Sequence, residues 1–231
     1  ILKSWTKWFK SLPRLSLIKI PRFVREFERN VIKLSLHTLS DGSSEAYAAC
    51  CYLIAAYDDG STSSRLVMAR AKVKPAKLLS IPRVELLGAV LGVKLALKVN
   101  RVFKLSIMDL HFWSDSKTVL FWLRVTNKPL KAFVENRITM IQDETVISNW
   151  RYCPTKSNPS DAATRGIDIV ELQFNDLWFF GPSFLCDSTA WPNQDDLAVM
   201  KETEDVLNEV RRVKNEEIFS VNETAPRRAK Q

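Results

Sequence analysis

The chain has 231 residues, 46% of them hydrophobic and 26% charged, with a formal net charge of +8. That is enough for one large or two small domains with a proper core, and the basic balance favours a polyanionic partner such as nucleic acid. A membrane span, a secretory leader and a zinc knuckle are set aside: no uninterrupted apolar run approaches ~18 residues, the first residues show no signal pattern, and Cys50, Cys51, Cys153 and Cys186 form no Cys-x-x-Cys pair.

Residues 1–33 are basic and amphipathic. Lys3, Lys7, Lys10, Arg14, Lys19, Arg22, Arg25, Arg29 and Lys33 interleave with aromatic and aliphatic residues, and Pro13 and Pro21 divide the stretch. Prolines at those places argue for short pieces of a packed connector rather than one long helix lying on a membrane. The opening Ile1-Leu2-Lys3-Ser4-Trp5 reads as the start of a segment from something longer. Leu34 to Asp41 then alternates roughly with period two and breaks at Ser40-Asp41-Gly42-Ser43-Ser44, a cluster of turn formers. A second apolar strand runs from Tyr47 to Tyr57. A third, Arg65 to Ala71, follows the turn Gly60-Ser61-Thr62-Ser63-Ser64, so an antiparallel meander is expected. Cys50 and Cys51 are adjacent in a strand and point to opposite faces; buried free thiols in a reducing, intracellular compartment, the cytoplasm, are expected.

Ser80-Ile81-Pro82-Arg83-Val84-Glu85 opens a helix reaching about Val99, with Ser80 at the cap, Pro82 and Glu85 in the first turn, and Val84, Leu87, Leu91 and Leu95 as an apolar stripe. Leu105 to Trp113 reads as a fourth strand ended by Ser114-Asp115-Ser116. Lys117 to Val125 reads as a short helix, and Leu130 to Gln142 as another with Phe133, Ile138 and Ile141 inward. A short fifth strand lies around Asn149 to Tyr152. Asn158 to Arg165 opens a last short helix, stopped by Gly166. Residues 168–194 are aromatic and irregular, suited to draping on the core. Residues 195–219 read as a charged helix, and 225–231 as a basic tail. The order predicts an α/β fold, a mixed five-stranded sheet flanked by helices.

Four acids sit at element boundaries: Asp41, Glu85, Asp115 and Asp161. One such acid is ordinarily a cap or turn residue. Four in this topological order point further. Leu36-His-Thr-Leu-Ser-Asp41-Gly-Ser-Ser-Glu-Ala-Tyr47, Ser80-Ile-Pro-Arg-Val-Glu85, Phe112-Trp-Ser-Asp115-Ser and Asn158-Pro-Ser-Asp161-Ala-Ala-Thr-Arg165-Gly together resemble the ribonuclease H region of BEL/Pao retrotransposon polyproteins. The resemblance covers nearly the whole chain. It places 1–33 after an upstream reverse transcriptase domain of the same polyprotein, the ribonuclease H-like domain at 34–167, an aromatic extension at 168–194 and a charged helix with basic tail at 195–231.

The resemblance implies an endonuclease that hydrolyses the RNA strand of RNA/DNA hybrids during reverse transcription, in the cytoplasm, a virus-like particle or the nucleus. It implies Asp41, Glu85, Asp115 and Asp161 as catalytic residues and as ligands of two Mg2+ ions, with Mn2+ as substitute. Asp41 would bridge the ions, Glu85 and Asp115 flank one, and Asp161 hold the other. The chemistry agrees: phosphodiester hydrolysis needs an activated water and a stabilised leaving oxygen, and clustered carboxylates repel one another until cations neutralise them. Ser43, Lys74, Lys77, Arg83, Lys117, Lys128 and Lys131 are the candidate nucleic-acid contacts.

Three departures stand out. The loop before Asp161 holds Tyr152 and Lys156 where many ribonucleases H place a histidine, which bears on turnover. Gly42 stands where the family more often has Ala, and Ala48 where it more often has Gly; both read as mild changes. His37 reads as structural. Two other functions compete. An aspartic peptidase needs two aspartates sharing a proton, usually in Asp-Thr-Gly or Asp-Ser-Gly turns, and Asp41-Gly-Ser and Asp115-Ser-Lys fit neither. A non-catalytic binding or structural module of a decayed or domesticated element is the other.

Overall fold

The computed structural model describes residues 2–26, 28–76, 78–125, 129–194 and 204–210. Lys77, Lys128 and the basic tail lie outside them, as does most of the charged helix expected at 195–219.

Three long strands, β1 (Val31–Gly42), β2 (Ala46–Tyr57) and β3 (Thr62–Val73), form the expected meander. The sheet is completed by β4 (Leu110–Ser114) and β5 (Trp150–Tyr152) in the order β3-β2-β1-β4-β5. β1 pairs antiparallel with β2 and parallel with β4, and β5 extends the sheet parallel to β4. β4 starts later than its apolar run suggested. Ser106 Oγ accepts from the Met108 amide and caps a single 3-10 turn over Ile107–Asp109, which takes the first residues of that run out of the sheet.

Alternation along β1 and β2 sorts two cores. On one face Leu36, Cys51, Leu110 and Phe112 meet α2 (Ile81–Phe103), α3 (Lys117–Arg124) and α4 (Ala132–Glu144). On the other, Leu39, Cys50, Tyr52 and Trp113 are covered by Phe184 and Leu185, with Trp178 and Trp191 packed alongside. The adjacent cysteines therefore enter different cores, and all four are free thiols. Tyr52 ties the second layer down by donating to the Trp178 carbonyl at 2.8 Å.

The buried face of α2 is broader than the expected stripe, with Leu86, Ala89, Val93 and Ala96 as well as Val84 fully enclosed, whereas Leu87 is only half-buried and Lys94, Lys98 and Arg101 are exposed. In α4 the inward residues are Val134, Ile138 and Ile141; Phe133 lies at the margin, where it carries two guanidinium groups. The N-terminal region forms α1 (Leu2–Ser11) and a 3-10 helix over Leu12–Leu17, with Pro13 in the latter's first turn. Short helices α5 (Ser160–Arg165), α6 (Ile169–Gln173), α7 (Asp176–Phe180) and α8 (Glu204–Leu207) follow β5. No helix among the described residues is long and apolar enough to cross a membrane.

Candidate active site

The site follows from the parallel pairing of β1 with β4. Ser40 is in register with Ser114, so the residue after each, Asp41 and Asp115, emerges side by side at the carboxyl ends of neighbouring strands. Strand spacing alone sets their backbones ~5 Å apart. Glu85 arrives from α2, which starts at Ile81; Glu85 is thus its fifth residue, just beyond the first turn where it was expected. Ser80 occupies the N-cap position without a side-chain bond.

Glycine brings helix and strand into contact. A Cβ on Gly42 would lie 2.4 Å from the Glu85 amide nitrogen, and one on Gly88 would lie 2.4 Å from the Asp41 carbonyl oxygen. Gly42 is therefore no mild change. Alanine there meets backbone that cannot give way, and the substitution would push α2 off the end of β1.

Asp41, Glu85 and Asp115 line one open cleft of ≈ 600 Å³ together with Ser43, Thr155, Thr164 and Arg165. Asp161, in the first turn of α5, lines the adjoining cleft of ≈ 300 Å³, which shares Thr155 and Arg165 with the first. Its Oδ1 stands 2.6 Å from Arg165 Nε as an ion pair without hydrogen-bond alignment. The structure thus gathers three of the expected acids into one cleft and sets the fourth next door, where its charge still raises Asp41.

The three acids of the larger cleft have polar neighbours that sequence reasoning passed over. Thr164 Oγ1 donates to Asp41 Oδ2 at 2.5 Å. Ser116, the N-cap of α3, donates to Glu85 Oε2 at 2.6 Å while accepting from the Val119 amide. Thr155 and Asn158 lie beside the Asp115 carboxyl, where their polar groups favour its charged form. Asn158 Nδ2 also donates to the Ser40 carbonyl and Ser160 Oγ to the Leu39 carbonyl, which stitches the start of α5 onto β1. The available signal was placement: all flank the acids by a few residues or one helical turn.

Burial, then the neighbouring Asp41 charge, pushes the Asp115 carboxyl up to about 6. Asp41 is also raised, chiefly by burial, against the hydrogen bonds from Thr164 and the Gly42 amide. Asp115 Oδ1 is buried with no hydrogen-bond partner. Two crowded, partly desolvated carboxylates with an unsatisfied oxygen suit a hard divalent cation, and Mg2+ takes one or two carboxylates and fills its shell with water and phosphate oxygens. Among the described residues no group of three or more His, Cys, Asp or Glu side chains is arranged to hold an ion. The residues present therefore fit an ion held by the Asp41–Asp115 pair and completed by water and substrate.

The candidate nucleic-acid residues divide. Ser43 lines the cleft but spends its hydroxyl on the turn, donating toward the Ala46 and Thr164 carbonyls and accepting from the Glu45 and Ala46 amides. Lys117 is exposed at the start of α3, its ammonium 5.3 Å from the Tyr152 ring centroid. Lys74 is half-buried beyond β3 and lines neither carboxylate cleft. Arg83 and Lys131 are both engaged by the segment after α8.

Residues 1–116 match the family described as the Pao retrotransposon-like RNaseH-like domain. A comparison with curated proteins finds no match. Among solved structures the chain is similar to the RNase H1 of the halophilic archaeon Halobacterium salinarum NRC-1, at 14% identity over 56% of this chain and 93% of that one, with a TM-score of 0.36. It is also similar to the N-terminal RNase H domain of a Mycobacterium tuberculosis protein, at 14% identity over 64% and 99%, TM-score 0.36. A third is LC11-RNase H1, isolated from compost by a metagenomic approach and solved in complex with an RNA/DNA hybrid, at 11% identity over 61% and 99%, TM-score 0.39.

Proposed function

Since this chain belongs to the family of Pao retrotransposon-like RNaseH-like domains, we propose that it is a divalent-metal-dependent endonuclease cleaving the RNA strand of RNA/DNA hybrids. The observation that carries this reading is the pairing of Asp41 with Asp115 at the ends of parallel strands, beside Glu85 in an open cleft, with Asp115 Oδ1 buried and unpartnered.

Asp41 and Asp115 would hold the first Mg2+, with Glu85 at its margin, and Asp161 would contribute to a second on release from Arg165. Bound there, the ions would supply Lewis acidity to the scissile phosphate and lower the pKa of the attacking water. The chain's own residues do the positioning. Thr164 favours the charged form of Asp41 and orients it, Ser116 aims Glu85, and the polar groups of Thr155 and Asn158 favour charged Asp115. Gly42, Ser43 and Ser44 line the cleft, and their small side chains would leave room there for a sugar-phosphate backbone. The basic 1–33 stretch would link this domain to an upstream reverse transcriptase in the same polyprotein, whose hold on the hybrid it would share.

A second reading is a module that binds nucleic acid without cutting it, which the Asp161–Arg165 ion pair favours. One assay separates them. With Mg2+ or Mn2+ the wild-type chain should cut the RNA strand of a labelled hybrid and leave DNA duplex intact, and chelator or Asp115→Asn should abolish cutting. Hybrid binding without cutting would establish the binding module. Peptide cleavage insensitive to chelator and lost in Asp41→Asn would establish a peptidase.

A further inference from the structure

Arg83 lies two residues ahead of Glu85 in α2, yet its guanidinium faces an acid from the far end of the chain. Its Nε and Nη2 donate to the two carboxylate oxygens of Glu209, each at 2.7 Å. Glu209 is 6% exposed. The same guanidinium lies 4.9 Å from the Phe133 ring centroid, and Arg137 stacks on that ring at 3.6 Å. Two cations share one ring at the start of α4, and among the described residues the Glu209 carboxylate is the anion paired with Arg83.

The segment is seated at several points. The Lys131 amide donates to the Glu209 carbonyl at 2.8 Å, and Lys131 Nζ donates to the Asn208 carbonyl. Leu130 bridges Val210, and Val206 is buried in the core that contains α3. By sequence the segment is acidic where the chain is basic: Glu202, Glu204, Asp205 and Glu209 fall within eight residues. It pairs with Arg83 and accepts from the exposed Lys131, two cations whose positions in the sequence suited phosphate contacts.

A carboxylate and a phosphodiester both present a pair of oxygens to the guanidinium fork, so a site that seats one side-on can seat the other. We propose that Arg83, with the start of α4 at Lys131, is a phosphodiester-binding site for nucleic acid entering the carboxylate cleft, and that Glu209 occupies it as an intramolecular competitor. The acidic segment thereby restrains substrate binding at that same site; the inference rests on the nucleic-acid reading above. Tethering gives Glu209 a high effective concentration, so a single weak contact suffices to compete. A nucleic acid that brings several phosphates at once displaces it.

The test is hybrid binding by fluorescence anisotropy in full-length chains made inert by Asp115→Asn. Glu209→Gln should tighten binding by about fivefold to tenfold. It should also steepen the salt dependence by roughly one phosphate contact. The loss caused by Arg83→Gln should be larger in the Glu209→Gln chain than beside native Glu209. A folded Glu209→Gln chain that binds no tighter overturns the proposal. If that variant does not fold, hydrogen exchange on the Asp115→Asn chain decides. Added hybrid should speed exchange at the Lys131, Glu209 and Val210 amides, and unchanged protection with hybrid bound overturns the competition. No hybrid binding by any chain would remove the nucleic-acid reading, and this inference with it.

Discussion

One face of β1 and β4 carries two pairs of titratable residues, and only one pair has the makings of a site. His37 is in register with His111, and four residues further along Asp41 stands beside Asp115. Leu39 and Trp113 separate the two pairs. The histidines lie with ring centroids 4.6 Å apart beneath Trp191, whose indole meets both edge-on. His37 Nδ1 accepts from Trp113 Nε1 and its Nε2 is bonded to Ser35 Oγ. Burial holds both rings neutral, with His111 pushed down to about 4. Both nitrogens of His37 have partners and an aromatic roof closes the pair. The aspartates open on a cleft, Asp41 raises Asp115, and an oxygen of Asp115 is left unsatisfied. A buried charged pair costs free energy wherever it sits; what distinguishes a site is that solvent and ligand can reach it and that the fold leaves its valence open.

The largest effect expected is a separation of activity from stability at Asp115. Asp115→Asn should lower hybrid cleavage by about three orders of magnitude. The same variant should unfold later than wild type in metal-free buffer at pH 7, by about 1–2 kcal/mol, because it removes a crowded buried charge. Denaturant melts with chelator check this, and a destabilised variant would mean that the carboxylate is structural. Gly42→Ala comes next. The overlap with the Glu85 backbone should cost about 1–3 kcal/mol and reduce cleavage at least tenfold, since it displaces α2 and Glu85 together.

The two pairs respond oppositely to acid. Both histidines have folded-state pKa values below the unfolded value, so the unfolded chain takes up protons first as pH falls below about 6.5. Their contribution is therefore full above pH 6.5 and is lost on acidification toward about 4, the folded value of His111. For His111 the loss is about 1–2 kcal/mol by pH 5, and His37 loses stability in the same direction. Asp115 has a folded-state pKa of about 6, above its unfolded value, so it gains stability as pH falls from 6 toward 4. Urea melts across pH 7 to 5 should show a shallow net decline in wild type and a steeper one in Asp115→Asn, where the offsetting gain is gone. The smallest effect is at Thr164. Thr164→Val removes a hydrogen bond that favours charged Asp41, so the Asp41 pKa rises further and the acid limb of the cleavage profile moves to higher pH.

Much of the sheet was legible because alternation and turn residues act locally. Asp41-Gly42-Ser43-Ser44 marks the end of β1 without reference to anything distant, whereas Thr62-Ser63-Ser64, turn formers by type, already belong to β3 because β2 pairs with them. The convergence of Asp41 with Asp115 depends on register, which local pattern cannot supply; the order of motifs had to stand in for it. Gly42 was misjudged because its constraint comes from the backbone of α2, more than 40 positions away, and not from its own turn. Phe133 was assigned inward by its apolarity, although its ring serves Arg83 and Arg137 at the surface of the core. Arg83 and Lys131 read as free cations because nothing near them in sequence announces Glu209.

Mn2+-induced paramagnetic broadening tests the central contrast most directly, since it falls with the sixth power of distance and the two pairs lie on the same strands ~13 Å apart along the chain direction. Followed by carboxyl and imidazole NMR signals, the Asp41, Asp115 and Glu85 resonances should broaden at the lowest Mn2+ additions while the His37 and His111 rings stay sharp. Mg2+ should reverse the broadening. Histidine signals that broaden together with or ahead of the carboxylates, or carboxylates left sharp throughout, would contradict the assignment of the metal site to the ends of β1 and β4.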